Sequence, residues 1–120
     1  MPAFNFQPRF AADVEAGVKR QTVRAHRKRD PQPGQTAYLF TGMRRAECRP
    51  LGAHAITAVQ HILVDTEGVI WLGDAPDALY PVLDDADAFA QADGFAGAAE
   101  LVGWIARTHG LPFEGTVTYW

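Results

Sequence analysis

The chain contains no serine, which excludes a serine nucleophile outright. Its single cysteine, Cys48, cannot close a disulfide within the chain, fits a reducing compartment, and rules out a zinc site built on several cysteines. The four histidines, His26, His54, His61 and His109, lack the short spacing of metal-ligand pairs, so no metal is expected. No G-x-G-x-x-G or G-K-[ST] string occurs, and no cofactor is expected either. Apolar runs are short: Ala55 to Val64 is broken by Thr57, Gln60 and His61, far from the roughly 20 residues that span a bilayer. The start "MPAFNFQPRF" lacks a charged segment followed by an apolar core and a cleavage site, so the expected location is the cytoplasm, with no membrane partner.

Positive charge is nearly missing from the second half. Residues 61–120 hold one Lys/Arg against ten Asp/Glu (−9), residues 1–60 hold ten against four (+6), and the two sum to the net −3. Six of the eleven cations, Lys19, Arg20, Arg24, Arg27, Lys28 and Arg29, fall in one short stretch. Such asymmetry points to a surface that meets a polyanion.

At 120 residues with 48% hydrophobic and 21% charged residues, the chain fits one folded domain over 1–120. Pro8 followed by "RFAADVEAG" predicts a short helix, with Phe10 and Val14 on one side and Gly17 ending it. An extended run from Arg20 to Arg24 would put Arg20, Thr22 and Arg24 on one face and Gln21 and Val23 on the other. "RDPQPGQ" reads as a loop; "TAYLF", "AHAITAVQHILV" and "GVIWLG" read as strands, with "DTEG" as a hairpin turn. Phe95, Ala98 or Ala99, Val102 and Ile105 mark a helix with Asp93 at its N-cap, ended by Gly110 and Pro112 before the strand "GTVTYW". The order implies an α+β fold, with a curled sheet or small β-barrel and flanking helices.

The segment "EAGVKRQTVR", with Gly17, Lys19, Thr22 and Arg24 after a helix, followed by "PGQTAYLFTGMR" and the late "ADGF…LVGWIARTHGLPF", resembles the ASCH domains of the PUA-like superfamily over nearly the whole chain. The resemblance implies a small PUA-like barrel with a cleft where the motif residues meet, and an RNA or nucleoside partner. Members similar to the threonine-containing version hydrolyse N4-acetylcytidine; others are linked to ribonuclease activity. By position, the resemblance makes Lys19, Thr22 and Asp93 the candidate catalytic residues, although those members carry glutamate where Asp93 stands. A carboxylate displaced by about 1 Å loses on the order of 100-fold in rate.

The residues themselves support binding roles beside those positions. Arg24 shares the face of Thr22, and its planar fork suits phosphate or a carbonyl. Arg27, Lys28 and Arg29 are candidate phosphate contacts, and Tyr38 on a strand between basic segments is a candidate stacking platform. Thr41 and Arg44 belong to a second basic cluster with Arg45 and Arg49. The expected function is RNA or nucleoside binding in a cationic cleft. The alternatives are amide hydrolysis on a modified nucleoside, ribonuclease action, or a protein interaction through the acidic "DDADAF" segment. As cleft residues facing solvent, Lys19 and Thr22 would each change stability by less than about 1 kcal/mol on replacement by alanine. Trp71, Trp104 and Trp120 are expected as core or closing contacts rather than as stacking partners of a cofactor.

Overall fold

The computed structural model describes residues 2–120. In chain order the elements are β1 (Ala3–Phe6), α1 (Pro8–Glu15), β2 (Gln21–Ala25), β3 (Thr36–Thr41), β4 (Arg49–Ala55), β5 (Ala58–Val64), β6 (Ile70–Gly73), β7 (Leu79–Pro81), α2 (Ala86–Ala92), α3 (Ala98–His109) and β8 (Phe113–Tyr119). The strands form two sheets. One has the order β1-β3-β4, with β1 parallel to β3; the other is antiparallel, in the order β2-β8-β5-β6-β7. The class is α+β, and no closed barrel forms among the described residues.

Local chemistry accounts for most of the boundaries. Pro8 opens α1, which buries Phe10, Ala11 and Val14, and Gly17 at φ +77° takes the left-handed position beyond it. The "DTEG" turn joins β5 to β6: the Asp65 carboxylate accepts from the N–H groups of Glu67 and Val69 and from Trp71 Nε1. The run "AHAITAVQHILV" is not one strand. Ile56 exchanges main-chain bonds with Gly34 and Gln35, whereas the Thr57 N–H donates to Tyr119 O, so the chain passes from one sheet to the other between β4 and β5.

Register sets the two faces of the larger sheet. Val23 lies opposite Val117, and these share a buried core with Ile62, Val64, Phe113 and the α3 residues Leu101 and Ile105. The opposite face carries Thr22 beside Thr118 and Arg24 beside Thr116, so it is buried yet polar. β2 is the outer strand of this sheet, with β8 as its only partner among the described residues, and it forms one wall of the site.

Candidate functional site

The described residues include a pocket of about 460 Å³ between the end of β1, α1, β2 and α3. That volume lies within the usual range for small-molecule sites, about 300–1,000 Å³. Lys19, Thr22, Arg24, Arg27 and Asp93 line it together with the aromatic side chains of Phe6, Phe10, Phe95, Trp104 and His109.

Lys19 stands just beyond the stop of α1, where the N–H groups of Val18 and Lys19 both donate to Asp13 O. The residue is only 3% exposed. The ammonium donates to Gln21 O at 2.8 Å and to Asp93 O at 2.6 Å, and its nitrogen is 3.4 Å from Asp93 Oδ1. It also lies over the rings of Phe10 and Phe6, at 5.2 and 5.7 Å from their centroids. Burial lowers its pKa, and the nearby Asp93 carboxylate opposes that shift.

Asp93 does not begin a helix, contrary to the reading of "QADGF" as an N-cap. It ends α2: Gly94 N–H donates to Gln91 O and Phe95 N–H to Ala90 O, with Gly94 left-handed at φ +96°. This paired closure, with an apolar residue following the glycine, is a helix C-terminus. The cap of α3 comes instead from Asp87, whose carboxylate accepts from Ala98 N–H at 2.8 Å. Burial is the main reason that the Asp93 carboxyl is pushed up to about 6, with Lys19 and the Gln21 amide, 3.4 Å away, pulling it back.

Thr22, also 3% exposed, accepts a hydrogen bond at its hydroxyl from Arg24 Nε at 2.9 Å. A further N–H of Arg24 donates to Asn5 O at 2.7 Å, and the guanidinium lies over Phe6 and Phe4. Burial and then Arg27 lower Arg24 to about 10, so it is charged at neutral pH. Arg27 forms the pocket rim, donating to Ala3 O and covering the Phe4 ring at 4.4 Å.

The other expected site residues lie elsewhere. Lys28 and Arg29 are exposed and do not line the pocket. Thr41 donates its hydroxyl to Phe6 O and belongs to an adjoining hollow with Arg45 and Arg49, while Arg44 is exposed in the turn before β4. Tyr38, half-buried on β3, is not a pocket residue. Arg20, expected on one face with Thr22 and Arg24, does not line the pocket and donates to Trp120 O. Trp104, expected as a core or closing contact, lines the pocket in contact with Phe95 and His109. Gln21 escapes sequence reasoning because a glutamine on a strand carries no signal of its own; its place between Lys19 and Thr22 is the one clue.

No family model, curated protein or solved structure matches this chain.

Proposed function

We propose that the chain is a nucleoside-binding domain of the ASCH type, PUA-like in fold, that hydrolyses an acyl amide on a modified base such as N4-acetylcytidine. The observation that carries this reading is the meeting of Lys19, Thr22, Arg24 and Asp93 in one aromatic-lined pocket, with Lys19 and Asp93 separated by 74 residues in sequence.

The chemistry assigned to each group follows from its surroundings. Amide cleavage needs a nucleophile, a donor for the developing oxyanion and a proton source for the leaving amine. Asp93, titrating at about 6, is ionised at neutral pH yet basic enough to accept a proton from the attacking hydroxyl and return it to the amine. Arg24 spends two N–H groups on Thr22 and Asn5, and its guanidinium has five, so three are left to polarise the amide carbonyl. Thr22 supplies the hydroxyl that attacks the carbonyl carbon. Expulsion of the protonated amine leaves an ester on Thr22, and water cleaves it to the free acid. Lys19 is a positioning residue: its bonds to two main-chain carbonyls hold the end of α2 against β2, and its charge holds the carboxylate.

Acetate release from N4-acetylcytidine tests this. The wild type should turn over, and Thr22→Ala and Asp93→Asn should each lose at least about 100-fold in kcat with the fold intact. Absence of turnover by folded wild type would refute the hydrolase. A second reading, binding without turnover, is favoured by Thr22 itself, because the residue is only 3% exposed and its hydroxyl is already engaged by Arg24 Nε. Cytidine binding without hydrolysis would select it. RNA is the corresponding macromolecular partner, with the exposed Lys28 and Arg29 beside the pocket rim as phosphate contacts.

A further inference from the structure

Pairing determines which main-chain groups of β2 face away from its sheet. Trp120 donates its N–H to Arg20 O at 3.1 Å, continuing the register in which Gln21 lies opposite Tyr119. Arg20, Thr22 and Arg24 therefore turn their main-chain groups toward β8, and in an antiparallel ladder the intervening residues turn theirs outward. Gln21 follows this pattern, since its carbonyl is taken from outside the sheet by Lys19.

Val23 and Ala25 must then hold their N–H and C=O groups out from the free edge, and both residues line the pocket. The Val23 side chain is buried in the core, so its main chain is what it presents to the pocket. Among the described residues neither amide nor carbonyl at this edge has a hydrogen-bond partner. Main-chain groups that face a cavity require a partner from the solvent or a ligand.

We infer that this edge is the recognition element of the pocket: the Val23 N–H and C=O, with the Ala25 N–H beside them, bind a flat heterocycle that carries a hydrogen-bond acceptor next to a donor, as a pyrimidine does at N3 and N4–H. The inference rests on the nucleoside reading above and adds how the base is held. Unpaired strand edges also take up peptides by adding a strand. Here, however, Lys19 covers the Gln21 carbonyl at one end, and Arg27 folds back to Ala3 at the other. The open stretch is three residues, against about five or six in a typical strand, which suits one ring. Phe6, Phe95 and Trp104 supply apolar wall for its faces.

The test is an amide NMR titration of the full chain with cytidine and with 3-deazacytidine, which lacks the N3 acceptor. It is repeated on protein in which the Val23 amide is replaced by an ester that keeps the valine side chain. Cytidine should shift the Val23 and Ala25 amides more than other pocket amides. Both 3-deazacytidine and the ester should weaken binding about tenfold, and the ester should not weaken 3-deazacytidine further. Cytidine binding that leaves both amides unmoved, or equal affinity for the ester protein, would overturn the edge assignment and leave the nucleoside pocket standing. Failure of folded wild type to bind any nucleoside would remove both. Shifts at these amides with an extended peptide but not with nucleosides would assign the edge to strand addition instead. The wild-type titration decides between these outcomes even if the ester protein does not fold.

Discussion

Lys19 sits at the junction of three segments, and its burial reverses one expectation about stability. A solvent-facing cleft lysine could be lost at a cost below about 1 kcal/mol, but this one is 3% exposed and satisfies Gln21 O and Asp93 O. Lys19→Ala would leave those carbonyls and the Asp93 carboxylate without their partner, and it should cost about 3 kcal/mol or more in chemical denaturation. A cost under 1 kcal/mol would mean that the ammonium is solvated after all. Asp93 makes the matching pH prediction. Its folded pKa of about 6 is above the ordinary 3.8, so between these values the native state holds the proton more tightly than the unfolded chain. That contribution is fully present below pH 4 and is lost as pH rises through 6, on the order of 3 kcal/mol at most. The stability difference between wild type and Asp93→Asn, followed by urea melts across pH 4 to 7, should therefore shift against the wild type as pH rises. If Asp93 is also the base, kcat/KM should climb over the same window.

At the scale of elements, the turn after α2 decides where Asp93 points. A Cβ on Gly94 would lie 2.7 Å from Phe10 Cδ1, and the residue has φ +96°. Gly94→Ala should therefore lower Tm by several degrees and loosen the contact between Phe10 and Phe95; an unchanged melt would refute this account of the turn. The same turn shows where the sequence could be followed and where it could not. α1, the "DTEG" hairpin and β8 were legible because each combines a period with a stop signal. "ADGF" was ambiguous because aspartate is a helix-opening signal and the glycine after it a helix-closing one, and only the hydrogen bonds of Gly94 and Phe95 back into α2 decide between them. Lys19, Thr22 and Arg24 stood out as a spaced motif, whereas Phe95 and Trp104 looked like ordinary core, because a pocket wall and a core share one composition. The switch of sheets at Ile56 and Thr57 had no signal at all, since it depends on bonds to Gly34, Gln35 and Tyr119.

For the molecule as a whole, the excess of positive charge in the first half acts through a few exposed groups. Arg27 is engaged with Ala3 and Phe4, whereas Lys28 and Arg29 are exposed and without a partner among the described residues. If single-stranded RNA binds, replacing both with glutamine should reduce the slope of log K against log salt by about 1.4, near 0.7 per phosphate contact, while Arg27 stays in place to hold β1. A double variant with an unchanged slope would take the phosphate edge away from this segment.

The pairing of Gln21 with Tyr119 joins stretches of chain 98 residues apart, whereas β5, β6 and β7 follow one another closely. In kinetic terms, the local meander can form early at a small loop-closure cost, and β2 can dock only after β8 is in place. The pocket wall belongs to the last piece of the sheet to arrive. Ligand binding is then a report of completed folding: a chain trapped one step short would keep most of its strands and have no site.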